Sequence, residues 1–237
     1  MAISTNPLAW LRSVQPRRAI ALLLLLLPLT VGAQTVRDLW LSMPPSLAPY
    51  LSTSLRTQCL DFYDMHTDAQ TDNALKGKSR IDTLTSTFLA ATLSKAHTLQ
   101  MKLLPASGSG LGSSMVSGSG SSSSLSSCDS VLCVVRSWDG PKRDSEVQLF
   151  DRQWKPLQAP STFSADSFVC RPDTMSEERF SRLVAMLDPI MFSVSLSPAE
   201  NVLLVKLSPV VPNPEDEKAI EQILVQRKLK WDGKTFK

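Results

Sequence analysis

Apolar residues recur along the chain at two spacings, one typical of amphipathic helices and the other of strands. The first helical stripe, at steps of four and three, comprises Leu47, Leu51, Leu55, Cys59 and Phe62. These residues fall on one face of a helix. The segment Pro44–Ser46 lies just ahead of the stripe and predicts where this helix begins.

Two further helices carry start signals of their own. Thr174 and Glu177 form a capping-box pattern, and Pro189 bars continuation of the helix that follows them. Asn213 and Pro214 suit the cap and the first position of the last helix. The apolar faces of these two helices are Phe180, Leu183, Val184 and Leu187, and Ile220, Ile223 and Leu224.

Short extended segments separated by turn residues lie between the helices. They span residues 81–84, 88–93, 97–104, 131–138, 146–150, 191–196 and 202–207. A final strand from Leu229 leads into a tight Asp-Gly turn at Asp232 and closes at Phe236. Short connections indicate antiparallel pairing, so the predicted fold class is α+β, an antiparallel sheet with packed helices.

Three short pairs of similar stretches are compatible with an internal duplication. The paired stretches are Leu93-Ser-Lys-Ala with Leu196-Ser-Pro-Ala, Lys102-Leu-Leu-Pro with Lys206-Leu-Ser-Pro, and the Trp-Asp-Gly runs at Trp138 and Trp231. Chance similarity between amphipathic hairpins explains the same echoes. The sequence therefore leaves two weakly similar halves as an open alternative.

The first 33 residues follow the order of a secretory signal peptide. Three arginines precede an apolar run with six consecutive leucines from Leu22, and no acidic residue occurs before Gln34. The run is shorter than the roughly 20 residues of a spanning helix, and no Cys follows the cut site. The sequence predicts cleavage between Ala33 and Gln34, a periplasmic or secreted product, and no stable membrane span after cleavage.

The leader also carries the whole positive excess of the chain. The sequence has 25 Lys and Arg against 22 Asp and Glu, and without the three leader arginines 22 of each remain. A neutral mature chain has no net field to attract nucleic acid or an anionic membrane. We therefore expect no nucleic-acid partner.

Four cysteines bear on redox state and metal binding. Cys59, Cys128, Cys133 and Cys170 permit two disulfides in an exported chain, with three possible pairings. Cys133 lies in an apolar run and is equally explained as a small buried hydrophobe. Neither a CxxC motif nor zinc-ligand spacing occurs, and only two histidines are present, so no metal or cofactor is predicted.

A low-complexity tract interrupts the chain at residues 107–127, where Ser and Gly fill 12 and 5 of 21 positions. Such a composition cannot bury enough apolar surface to order itself, and no phosphate-loop pattern is present. The predicted organisation is a signal peptide at 1–33, one α+β domain formed by 34–106 and 128–237, and a flexible insertion at 107–127.

Catalytic signatures are absent from the sequence. No GxSxG motif occurs, and His66 and His97 are both expected to be solvated rather than catalytic. The spacing of Asp64, Asp68 and Asp72 partly matches an EF-hand calcium loop, but the rest of that pattern is missing. A solvated face on a continuing helix is the better interpretation. No catalytic residue is predicted, although a pair of carboxylates stays open because geometry decides it.

Trp138, Trp154 and Trp231 are the possible binding aromatics, since all three lie near predicted strand ends. An exposed Trp can form a platform for a sugar or a partner protein. Each Trp can equally plug the end of its own sheet, so both interpretations stay open.

Several short blocks of the mature chain carry a family resemblance. They span residues 36–44, 59–62, 77–79, 101–105, 129–135, 144–145 and 231–236. Together they resemble a Bacteroidales-restricted family of exported proteins, domain of unknown function 3256, from which the tract at 107–127 departs as an insertion. The resemblance implies an envelope location and brings no catalytic residue.

Export, neutrality and the lack of a catalytic motif favour a non-catalytic envelope binding or accessory module, with an envelope protein or a glycan as partner. Two alternatives stay open: a carbohydrate-directed hydrolase using paired carboxylates, and a structural envelope component. Two half-buried carboxylates about 5–9 Å apart in a cleft would favour the hydrolase. Exposure of Trp138 or Trp231 would favour binding.

Overall fold

In the part of the chain that the structure describes, two antiparallel sheets, one of six strands and one of three, form the framework. The computed structural model describes residues 34–106, 130–157, 163–211 and 213–237. The predicted signal peptide, the insertion at 107–127 and Cys128 lie outside the described residues, so the domain division stays a prediction. The predicted α+β class is confirmed by four helices and two antiparallel sheets in the described residues.

The described helices and strands follow one another in a simple order. The helices are α1 (Val36–Ser42), α2 (Thr53–Asp64), α3 (Glu177–Ala185) and α4 (Pro214–Glu221), with a short 3-10 helix at Ala165–Phe168. The large sheet is β1 (Thr71–Asp72), β2 (Lys78–Leu84), β3 (Phe88–Ser94), β4 (His97–Pro105), β5 (Ser130–Asp139) and β6 (Arg143–Phe150). The small sheet is β7 (Phe192–Leu196), β8 (Val202–Leu207) and β9 (Arg227–Lys230). In each sheet the spatial order equals the chain order.

The first predicted helix begins later than the sequence indicated. α2 starts at Thr53, with the Ser52 hydroxyl accepting from the backbone N–H of Leu55, and residues 44–51 are not helical. Pro49 explains the difference, because a proline inside a helix removes a hydrogen bond and clashes with the preceding turn. Leu47 remains buried, but in a loop.

The short helix α1 was not predicted. Thr35 caps it, and the side chains and backbones of Thr35 and Asp38 form a reciprocal capping box. Trp40 is fully buried on this helix and donates from its indole to the carbonyl of Arg56 at 3.0 Å. α1 is therefore fixed to α2 by a buried hydrogen bond as well as by apolar packing.

The acidic stretch after α2 also differs from the prediction. The helix ends at Asp64, and His66 follows in a left-handed conformation, so Asp68 and Asp72 lie in a loop and in β1 rather than on a helical face. All three aspartates are exposed as predicted. Among the described residues no group of three His, Cys, Asp or Glu could hold a metal ion.

The two later helices match their predictions closely. Asn213 caps α4 by accepting from the backbone N–H of Glu215, and Pro214 takes the first helical position, as predicted. For α3 the cap is Ser176 rather than Thr174, because its hydroxyl is the one that accepts from Arg179 N. None of the described helices is long and apolar enough to cross a membrane.

Strand β5 lies between two apolar cores. Leu132 and Val134 pack into the core that α1 and α2 form on one face of the large sheet. Val131, Cys133 and Val135 alternate with them and face the core shared with the small sheet. The continuous apolar run predicted as a strand is therefore buried on both faces, and the large sheet is the middle layer.

Three described cysteines are free thiols. Cys59 and Cys133 are buried and Cys170 is exposed, so none of these three forms a disulfide with another. The prediction that Cys133 packs as a small buried hydrophobe is confirmed by its complete burial.

A buried lysine joins the two sheets. The Lys102 ammonium on β4 donates to the carbonyls of Ser197 at 2.6 Å, Pro198 at 3.1 Å and Glu200 at 2.7 Å, all in the turn between β7 and β8. Burial of Lys102 lowers the pKa of its ammonium. The three carbonyls replace the water that burial removes, as a buried charge requires.

The outer edge of β7 is closed by side chains of the large sheet. The backbone N–H groups of Phe192, Val194 and Leu196 donate to Asp144 Oδ1, Ser145 Oγ and Gln100 Oε1, at 3.4, 3.1 and 2.8 Å respectively. An open strand edge pairs readily with other chains. These contacts satisfy the edge and set the register of the small sheet on the large one.

The two sheets also bear on the question of duplication. β3, β4 and β5 form one antiparallel meander, and β7, β8 and β9 form another. The echoed Leu-Ser turns follow β3 and β7, and the two Trp-Asp-Gly runs lie at the ends of β5 and β9. This order is compatible with two similar halves.

The Lys102 contact predicts a large effect on stability. Replacing Lys102 by Met should lower the free energy of unfolding by about 3 kcal/mol, because three turn carbonyls lose their charged donor. Urea denaturation followed by circular dichroism measures the change. Lys206→Met, at the exposed counterpart on β8, is the control and should stay within about 0.5 kcal/mol of wild type. Equal effects of the two substitutions would contradict this role for Lys102.

Candidate functional site

A groove of about 700 Å³ lies beside the edge strand β6. Its floor comes from β5 and β6, and its walls come from the loops at Pro44–Leu47 and Trp154–Leu157. We call it the β6 groove. Local interactions fix the shape of both loops. In the first loop, prolines end α1. In the second loop, Asp151 Oδ1 accepts from Gln153 N at 2.8 Å and from Lys155 N at 2.9 Å.

The floor of the β6 groove is a short polar network. Arg136 and Glu146 are cross-strand partners, and their side chains form an ion pair at 2.6 Å. The Gln148 amide donates to the same carboxylate at 2.6 Å. Arg136 Nε and Gln148 Oε1 are buried and have no hydrogen-bond partner among the described residues. An unpaired buried polar atom costs about 1–3 kcal/mol, so these two atoms carry hydrogen-bonding capacity that the described residues do not use.

The walls of the β6 groove are mostly apolar. Trp154 is buried, packs its ring against Phe150 at 5.3 Å and donates to Ser42 Oγ at 3.2 Å. Leu157 forms the outer rim with 39% of its surface exposed. The backbone N–H of Leu157 donates to Leu149 O at 2.9 Å, and Pro156 bridges to Phe150. The chain therefore lays one extended apolar segment of its own against the β6 edge.

An aromatic cluster adjoins the groove beyond Arg136. His97 stacks on Trp138 with centroids 5.1 Å apart and rings nearly parallel, and the Arg136 guanidinium lies 5.4 Å from the Trp138 ring centre. The Tyr50 hydroxyl contacts His97 Nδ1 in a short hydrogen bond. The prediction that His97 is solvated is wrong, because the first position of β4 faces the sheet interior and Tyr50 and Trp138 cover the ring.

Burial governs the protonation of this cluster. Burial first, and the charge of Arg136 second, lower the pKa of His97 to about 4. Burial also raises the pKa of Tyr50 to about 12. A neutral Tyr50 and a neutral His97 therefore share one hydrogen bond at Nδ1, and Nε2 is a buried atom with no partner in the described structure. A ring whose pKa is about 4 is not poised to take up a proton at neutral pH.

The three Trp residues do not form one platform. Trp138 and Trp154 lie along the same face of the large sheet, with Trp138 exposed by 39% and Trp154 buried in the groove wall. Trp231 lies at the small sheet, packs on Phe236 at 5.0 Å and donates to Pro105 O at 2.6 Å. Gln34 is the first described residue, and Ala33 falls outside the described range.

Known proteins resemble this chain in sequence and in fold. The family profile described as "Protein of unknown function (DUF3256)" matches residues 28–129 and 121–236. The chain belongs to the DUF3256 family. A solved structure titled "Structure of a domain of an uncharacterized protein from Porphyromonas gingivalis W83" is 23% identical, with a TM-score of 0.62 over 85% of this chain and 98% of that one. Its likeness shows the fold alone, and no curated protein matches the chain.

Sequence reasoning missed most of the groove in this DUF3256 chain. Arg136, Glu146 and Gln148 looked like ordinary polar positions on strands. One signal was available, because Arg136 occupies a position whose parity matches the core-facing Leu132 and Val134. The register that places Glu146 opposite Arg136 could not be read from the sequence.

The low pKa of His97 predicts a pH-dependent stability. In the unfolded chain His97 has a pKa of about 6.5, whereas in the folded chain the pKa of His97 is about 4. The contribution of neutral His97 to stability is therefore fully present above about pH 6.5 and is lost as the pH falls towards about 4. Urea denaturation across this range should show a shallower loss for His97→Phe than for wild type. His66→Gln changes an exposed ring and should keep the wild-type slope; identical slopes for all three proteins would refute the assignment.

Proposed function

We propose that this DUF3256 chain is an exported, non-catalytic binding module of the cell envelope, and that the β6 groove holds an extended peptide segment of a partner protein. The observation that carries the proposal is the combination of apolar walls with a polar floor whose hydrogen-bonding capacity is not used up. Concave sites with a few convergent polar groups are typical of ligand binding.

The chemistry of the groove favours a peptide over other ligands. Trp154, Leu47 and Leu157 supply apolar surface for a side chain. Gln148 Oε1 and Arg136 Nε are an unpaired acceptor and an unpaired donor buried in the floor, and rotation of their side chains on binding would present them to the N–H and C=O of a peptide backbone. The chain's own Pro156–Leu157 segment already lies extended against the β6 edge, so the groove continues a surface that accepts such a segment.

The hydrolase alternative finds less support in this groove. Glycoside hydrolysis needs two carboxyl groups flanking the bond to be cleaved. Glu146 is the one acidic residue among the described residues that line the β6 groove, and it is bound by Arg136 and Gln148. A carboxylate held in this way is a recognition or structural group rather than a free acid or base.

A glycan is the second candidate ligand, because Trp138 has an exposed ring. Its ring is 39% exposed, which is the condition for an aromatic platform. His97 and Arg136 already contact the ring, so less of its surface is open to a sugar than the exposed fraction suggests. The peptide proposal therefore ranks first.

Export is tested by the mature N-terminus. Intact-mass measurement of the protein purified from its native host should give a chain that begins at Gln34 or a near neighbour, because the leader has the charge order and small-residue site of a cleaved signal. Fractionation should place that chain in the periplasm or the medium. A full-length chain in the cytoplasm would sink the export proposal and leave the groove unaffected.

Peptide binding is tested by selection from a phage-displayed random peptide library on the mature protein. Enriched peptides should carry an apolar residue, and Leu157→Asp should weaken them at least about tenfold, because a leucine contact is lost and a charge enters the rim. Fluorescence anisotropy with labelled peptides measures the affinities.

The control for this experiment is Ile190→Asp, which changes an apolar side chain of 52% exposure outside the groove. It should bind the peptides as wild type does. Enrichment of no peptide, together with retention on a glycan array that Trp138→Ala abolishes, would replace the peptide by a glycan. Cleavage of an arrayed glycan would favour the hydrolase.

A further inference from the structure

The hairpin turns at one end of the large sheet form a second surface, separate from the β6 groove. Because consecutive strands are neighbours and antiparallel, the β1–β2, β3–β4 and β5–β6 turns lie at the same end. Leu75 is at the tip of the first turn and is 67% exposed, the most exposed large apolar side chain among the described residues. Trp138 lies at the same end, close to the third turn.

Four cations surround the first two turns. Lys76, Lys78, Arg80 and Lys95 line a shallow concavity of about 610 Å³, and no carboxylate is among the described residues that line it. Lys78 is paired with Asp72 at 2.6 Å and Arg80 with Asp82 at 2.7 Å. Lys76 and Lys95 have no ion pair with any residue the structure describes. The chain is neutral after the leader, so these cations are a local concentration of charge rather than a share of a general excess.

Leu75 is held outward by a buried side chain. Asn73 Oδ1 accepts from the backbone N–H groups of Leu75 and Gly77, each at 3.0 Å, and Asn73 Nδ2 donates to Leu93 O at 2.8 Å. The turn is also tied to the neighbouring loop, since Ala74 N donates to Tyr50 O at 3.1 Å. The exposure of Leu75 is thus built into the turn and does not result from a loose end.

We infer that this end of the sheet, which we call the basic turn surface, docks on an anionic lipid bilayer, with Leu75 entering the headgroup region and the cations facing lipid phosphates. Basic residues next to an exposed apolar or aromatic residue are the arrangement that interfacial binding requires. Trp138 suits the same boundary, because an indole has an apolar body and a polar edge.

The apolar tip decides between a bilayer and a soluble polyanion. Either would neutralise Lys76 and Lys95, but a dissolved acidic polymer offers no apolar phase for Leu75. The surface also needs no spanning helix, so peripheral docking is compatible with the described helices. Attachment of this kind is reversible and weakens as salt screens the charges.

The experiment is co-sedimentation of the mature protein with vesicles of phosphatidylcholine alone and of phosphatidylcholine mixed with phosphatidylglycerol. Binding should appear with the mixed vesicles only and should decrease as salt rises. The double variant Lys76→Glu, Lys95→Glu should bind at least about tenfold more weakly, and Leu75→Ser should also bind more weakly.

Matched controls change the same residue types elsewhere. Lys218→Glu on α4 and Ile190→Ser alter an exposed cation and an exposed apolar residue away from these turns, and both should bind as wild type does. Circular dichroism checks that every variant is folded. Equal binding to both vesicle types, loss of binding in the controls, or retention on soluble polyglutamate without vesicle binding would each overturn the inference. None of these outcomes depends on the β6 groove, so the two proposals fail independently.

Discussion

The buried ammonium of Lys102 is the constraint on which the arrangement of the two sheets depends. One side chain on β4 binds three carbonyls of a single turn, which fixes both the distance and the direction of the β7–β8 hairpin. The β7 edge contacts of Asp144, Ser145 and Gln100 then leave that hairpin a single register. A buried cation is costly unless its donors are satisfied, so an arrangement that moved the turn away would expose the full cost of burial.

This junction also decides where a groove can form. The small sheet occupies one face of the large sheet, and α1 and α2 cover the other face mainly over the first strands. Strands β5 and β6 extend past the helices, and loops rather than helices flank them there. Arg136 and Gln148 lie on that less covered part, which explains how polar side chains occupy core-facing positions. The site is therefore a consequence of two helices being too short to cover six strands.

Local patterns in the sequence predicted the elements better than their junctions. The strands and the cap of α4 followed from apolar alternation and from the Asn213-Pro214 pair, both of which are short-range signals. The predicted start of α2 was wrong because Pro49 outweighs the apolar stripe. α1 was not predicted because it is only seven residues long and a capping box is its one sequence signal. Burial of His97 and the pairing of Arg136 with Glu146 depend on strand register, which no local pattern encodes.

The two Trp-Asp-Gly runs have the same sequence, but their Trp residues have different roles in the structure. Trp231 follows the last strand of the small sheet, and its indole donates to Pro105 on β4, so this Trp is used to join the sheets. Trp138 ends a strand of the large sheet, stacks on His97 and keeps an exposed ring. The two stretches that the family profile matches are compatible with similar halves. In that case the Trp of the second half, Trp231, contacts the large sheet at the junction, and the Trp of the first half, Trp138, lies at the surface. The two surfaces proposed to bind partners, the β6 groove and the basic turn surface, both lie on the large sheet.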